Sequence, residues 1–149
     1  MLLKRIKSSL SENKGASILG FIVVAPFLVW FFLYLVLGGS FFLDKNDMIT
    51  IVNSKFDSAL VEGQFTMDLK QELVDELEAE GFDQSDLVIE VTPAECFDND
   101  NGTYAPRGTE IEIVVYHKKV HPFYYINFGI GNEERFYIGT KITGMSEKW

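Results

Sequence analysis

From Ala16 to Leu43 the chain runs for 28 residues without an Asp, Glu, Lys, Arg or His, and this stretch limits what everything else can be. As a helix rising about 1.5 Å per residue, it exceeds the roughly 20 residues that cross bilayer hydrocarbon. It is too long for the roughly 7–15-residue apolar core of a secretory signal. Gly38-Gly39-Ser40 is its nearest approach to a small-residue cleavage site. The expectation is a transmembrane helix over 16–43. Pro26 lies inside it. In water a mid-helix proline costs about 3 kcal/mol, whereas in lipid it is tolerated as a kink. Trp30 and Tyr34 stand mid-run, not at the rims where interfacial aromatics usually lie, which points to packing against other helices as well as lipid.

Charge divides the chain around that run. Residues 1–15 form a basic leader, with Lys4, Arg5, Lys7 and Lys14 against Glu12. From Asp44 onward there are 21 acidic and 9 basic side chains. A positive head and an acidic remainder fit a single-pass membrane protein whose N-terminus is cytoplasmic and whose C-terminal domain is extracytoplasmic. The acidic domain would repel phosphates, so direct nucleic-acid binding is not expected. Cys96 is the only cysteine, which excludes an internal disulfide and a multi-thiolate zinc site. It reads as a small apolar packing residue.

Past the apolar run the helical pattern continues. Met48, Ile51, Val52, Phe56, Ala59 and Leu60 recur at three- and four-residue spacings over 44–62, and Gly63 is a stop signal. A second helix over 66–80 takes Thr66 as N-cap and Gly81 as its end. Met67, Leu69, Leu73, Val74 and Leu77 form its stripe, and its acidic residues read as a solvated face. Three alternating runs follow within 87–143: Leu87 to Thr92, Glu110 to Val115 and Phe136 to Thr143. Asn101-Gly102 is a turn signal between the first two. His121 to Asn132 is a long aromatic connection with room for a short strand of its own. The expected class is α+β, a small antiparallel sheet with helices on one face.

Chemistry-bearing patterns are sparse. Asp98-Asn99-Asp100-Asn101-Gly102 resembles a calcium loop, but with Gly102 sixth the first ligand position falls on Phe97, which offers no side-chain oxygen. His117 and His121, four apart on a strand, would stand about 13 Å apart at ~3.3 Å per residue, too far for one metal. Glu110 and Glu112 would sit about 6.6 Å apart, a spacing open to a glycosidase pair, but more simply two acids on a solvent face. No phosphate loop, GxSxG or Cys-His pairing occurs. The expectation is no enzymatic activity, no cofactor, no metal and no small-molecule substrate. Phe123 to Phe128 would pack under a loop or meet a partner.

The order of a basic leader, Lys14-Gly15, small or apolar residues and a spanning helix resembles the class III leader of type IV pilins and pseudopilins. Gly20-Phe21-Ile22-Val23-Val24-Ala25-Pro26 is similar to the Glu-Phe-Ala-Leu-Val-Ala-Pro phrase that opens the helix of TadE-like pseudopilins, and the likeness covers residues 14–28. It implies a pilin-like outer domain and cutting between Gly15 and Ala16 by a membrane prepilin peptidase. The leader basics Lys4, Arg5, Lys7 and Lys14 would hold the head inside. Gly20, Phe21 and Pro26 would take part in helix-to-helix assembly with other pilin or pseudopilin subunits in a pilus, secretion or conjugation apparatus at the cell surface. One departure has a physical consequence. The family's glutamate, thought to neutralise a neighbour's N-terminal amine, is replaced by Gly20. This subunit could present its own amine but not the acid, as suits a minor or tip subunit. The alternative is an unprocessed single-pass membrane protein whose outer domain binds a ligand in a transfer or secretion machine.

Overall fold

The computed structural model describes residues 2–94, 104–128 and 130–148, with side chains at Ile18 and from Gly20 onward. One helix, α1 (Leu2–Glu62), takes in the leader, the uncharged run and the first amphipathic stretch, 61 residues in all. It continues through Pro26. Helix α2 spans Met67–Ala79, followed by a 3₁₀ turn at Gln84–Asp86. Strands β1 (Leu87–Thr92), β2 (Glu110–His117) and β3 (Ile138–Met145) form one antiparallel sheet in the order β1-β2-β3. A single helical turn, α3 (Phe123–Ile126), and a 3₁₀ turn at Glu133–Phe136 join β2 to β3.

The two long helices end for reasons visible in their residues. Gly63 has φ +73, the left-handed conformation that glycine adopts without steric cost. The Gln64 N–H then reaches back to the Ala59 carbonyl at 3.2 Å. Thr66 caps α2, its side chain accepting the Leu69 N–H at 3.2 Å. At the far end Gly81 (φ +96) donates to Glu78, and Phe82 donates to Leu77 at 3.0 Å, a Schellman closure that also places Phe82 in the core.

Alternation sorts the sheet into two faces. Ile89, Val115 and Thr140 lie side by side, as do Val91, Ile113 and Ile142. This face meets Met48, Val52, Phe56 and Ala59 of α1 together with Leu73 and Leu77 of α2, all buried. The spacing of four, four and three along α1 is the helical stripe expected of a face on a core. Glu90, Glu112 and Lys141 lie on the opposite face, where Lys141 Nζ stands 2.8 Å from Glu112. Lys55 of α1 bridges Glu72 and Glu76 of α2, each at 2.8 Å. These side-chain hydrogen bonds, opposed by burial, raise its pKa.

The chain's far end clasps the end of α1. Ala105 N–H donates to Gly63 O at 2.8 Å, Glu147 N–H donates to Leu60 O at 2.8 Å, and buried Ser146 Oγ donates to Ala105 O at 2.8 Å.

The architecture is α+β: a long apolar N-terminal helix, further helices and a small three-stranded antiparallel sheet. Two expectations are corrected. Among the described residues of 121–132 there is no strand; Phe123–Ile126 form α3, and Phe123 and Phe128 are drawn onto α1 instead of into the sheet. The third strand starts at Ile138, since Phe136 belongs to the preceding 3₁₀ turn and packs beside Phe123 and Tyr124. Cys96 and the Asp98–Gly102 loop lie outside the described residues.

Candidate functional site

The leader, processing and assembly residues singled out in the sequence all fall on the N-terminal half of α1. Lys4, Arg5, Lys7, Lys14, Gly15 and Ala16 lie on its backbone, and their side chains lie outside the described residues. A Cβ added at Gly20 would meet nothing within 4 Å. Phe21 is 71 % exposed, and Pro26 is exposed too. All three face away from the described residues of the domain. The proline has no N–H, so the Ile22 carbonyl lacks its usual helical partner. The helix's most apolar 18-residue window has a mean hydropathy of 2.5 and contains no buried residue. By length and composition this helix is able to cross a membrane. Monomeric soluble proteins rarely expose apolar patches beyond a few hundred Å², so a surface of this kind needs lipid or protein around it.

The C-terminal part of the same apolar run is a different environment. Here the β2–β3 connection folds back along α1 as an aromatic foot. Phe123 packs edge-on to Tyr34, with ring centroids 5.0 Å apart, and stacks on Phe41 at 6.0 Å. Buried Gly38 makes room for it: a Cβ there would stand 3.2 Å from the Phe123 ring. Lower down, the Trp30 indole N–H donates to the Ile126 carbonyl at 3.2 Å, and Phe128 stacks on Trp30 at 5.6 Å. The residues that Trp30 and Tyr34 pack against thus include those of their own domain's loop.

At the top of the foot His121 is fixed on both ring nitrogens. Its Nδ1 accepts the Phe123 N–H at 3.2 Å, which leaves Nε2 to carry the proton, 3.3 Å from Asp44 Oδ2. Burial lowers its pKa below 6.5, and Asp44 opposes that shift. His117, at the end of β2, is also buried, and its Nε2 has no hydrogen-bond partner among the described residues. Its pKa is lowered by burial first, with Lys119 adding to the effect and Asp86 and Asp83 opposing it. The two histidines line one cleft with Asp44, Asp83 and Lys119. Asp83 is itself held below the usual carboxylate range by hydrogen bonds from Ser85. Among the described residues no group of three or more His, Cys, Asp or Glu converges in a metal-binding arrangement.

Sequence reasoning missed Gly38, Phe41 and Asp44 as the seats of the foot. The available signal was the coincidence of two oddities, aromatics inside a span and an uncharged aromatic stretch in an acidic domain. Compared with protein-family models, curated proteins and solved structures, the chain matches none.

Proposed function

We propose that this chain is a membrane-anchored assembly subunit of the TadE-like pseudopilin type, a minor subunit of a pilus or secretion apparatus. In this reading the N-terminus is cytoplasmic, the domain from Asp44 is extracytoplasmic, and a prepilin peptidase cuts between Gly15 and Ala16. The freed helix then packs against sister helices. The observation that carries the reading is the division of α1. Its stretch from Phe21 to Val36 exposes apolar side chains, while the same helix, unbroken, goes on to supply Met48, Val52, Phe56 and Ala59 to the domain core. A tether needs no such rigid continuity; a subunit that must set its domain's direction from its helix does. Gly20 fits this role, because small residues allow close helix approach in membranes. The structural role calls for no cofactor, metal or small-molecule substrate.

Intact-mass measurement after co-expression with a prepilin peptidase is the test. Loss of residues 1–15 from the wild-type chain, blocked by Gly15→Ala, is the expected result. A full-length mass in both would sink the processing step and favour an unprocessed single-pass protein.

A further inference from the structure

We propose that Tyr125, Phe128 and Ile130 form the tip of a membrane-contacting foot, seated on the outer leaflet of the bilayer that α1 crosses, in the boundary between headgroups and acyl chains. This rests on the spanning part of the reading above and not on processing or assembly.

The foot runs from His121, beside Asp44, down to Phe128, beside Trp30. That separation is about 14 residues of helix, or roughly 21 Å. The uncharged run of 28 residues would measure about 42 Å, some 12 Å more than hydrocarbon requires. Counting about 20 residues outward from the end of the charged leader places the outer boundary near Tyr34. Trp30 and Tyr34 then occupy the level where amphipathic rings collect, and the tip of the foot lies beside them. Counting the same length inward from Leu43 would instead carry the tip about 13 residues, roughly 20 Å, below the boundary and past the midplane. There the loop's exposed backbone would meet no water, so the boundary placement follows the first register.

The tip's chemistry suits that place. Tyr125 is 70 % exposed, Phe128 73 % and Ile130 68 %, although the inner side of the same loop is packed on α1. No charged residue occurs from Pro122 to Asn132 in a domain otherwise dense in acids. Glu133, Glu134 and Arg135 return immediately beyond it, where the chain turns back toward β3. Phe128 holds a left-handed φ of 57, unusual for a bulky residue, and its ring lies on Trp30. Lipid is favoured over a protein partner because the exposed tip continues the apolar surface of the span at the same level.

The test uses the full chain carrying Cys96→Ser and one new cysteine, labelled with nitrobenzoxadiazole. It is reconstituted in phosphatidylethanolamine/phosphatidylglycerol vesicles containing lipids spin-labelled at the headgroup, upper acyl or lower acyl position. Labels at Ile130→Cys and, separately, Tyr125→Cys report on the foot; both sites are exposed, so neither perturbs the core. Val24→Cys reports on the span and Glu78→Cys on the solvated face of α2. Loss of fluorescence at 125 and 130 to headgroup and upper-acyl quenchers, at 24 to the lower-acyl quencher and at 78 to none is expected. Quenching at 24 with 125 and 130 behaving like 78 overturns the foot and leaves the span standing. No quenching at 24 overturns both. Labels at 125 and 130 shielded from every lipid quencher, but cross-linking to position 24 of a second copy, would assign the tip to a neighbouring helix instead and overturn the proposal.

Discussion

Replacing Gly63 with alanine tests whether the clasp at the end of α1 is rigid. Two costs follow from the geometry. At φ +73 a residue with a Cβ pays a left-handed penalty of about 1–2 kcal/mol. The new Cβ would also stand 2.8 Å from Lys148 Cβ, 3.1 Å from the Ala105 carbonyl oxygen and 3.2 Å from Ser146 Oγ. The carbonyl is backbone and is itself held by Ser146, so it cannot swing aside alone. Overpacking of this kind costs roughly 1–3 kcal/mol, which brings the total to about 2–5 kcal/mol. For a domain near 100 residues, at about 4 °C per kcal/mol, Tm should fall by about 8–20 °C. Gly81→Ala is the matched control, since Gly81 has φ +96 and a Cβ there meets nothing within 4 Å; it carries the backbone term alone. Near-ultraviolet circular dichroism of the full chain in detergent measures both. If Gly63→Ala lowers Tm no more than Gly81→Ala, the tail moves freely and the clasp argument is refuted.

Acid should weaken the C-terminal domain through its histidines. Both imidazoles titrate below 6.5 when folded, chiefly because they are buried, so the unfolded chain binds protons first. Stability present above about pH 6.5 is therefore lost as pH falls, by up to about 1.4 kcal/mol per pH unit for each histidine. Urea midpoints measured from about pH 7.5 to about 5.5 should drop less for His117→Gln than for wild type, and equal drops would exclude His117 as a contributor. On α2, Leu73→Ala should cost about 2–5 kcal/mol because Leu73 is fully buried. Lys55→Met should cost no more than about 1 kcal/mol, since Glu72 and Glu76 are 60 % and 50 % exposed; urea titration of the two variants separates these scales, and a reversed order would contradict the packing described.

Where local chemistry decides the structure, the sequence was sufficient. Thr66 and Gly81 bound α2 because a cap and a left-handed glycine act over three or four residues, and the alternation around Ile89, Ile113 and Ile142 needs only a period of two. The foot needed more. Trp30 and Ile126 are 96 residues apart, and no period links an aromatic in a span to one in a distant loop. His121 shows the same limit. Spacing along the chain set it against His117 as a metal-ligand question, whereas its side-chain partner is Asp44, reached only once α1 and the β2–β3 connection lie side by side. What is proposed for the leader rests on charge and on the resemblance at residues 14–28, neither of which is a matter of packing.

The foot and the clasp together bear on how an exposed apolar helix could direct a domain. A helix joined to a globular body at one point can pivot there, and lateral packing of its far end then says little about the body's orientation. Here α1 is held twice. The clasp grips its end through Leu60 and Gly63, and the foot grips it through Trp30, Gly38 and Phe41. The two grips are separated by roughly 19 residues, about 28 Å of helix, with the core stripe between them. Rotation about a perpendicular axis would have to break both at once. Whatever surrounds the exposed segment below Trp30, whether lipid or sister helices, therefore sets the direction in which the sheet and α2 face. Under the proposed assembly, that rigidity lets contacts made entirely inside the membrane arrange domains outside it. It also explains why an apolar run longer than a bilayer is useful: the surplus is the length over which the domain takes hold.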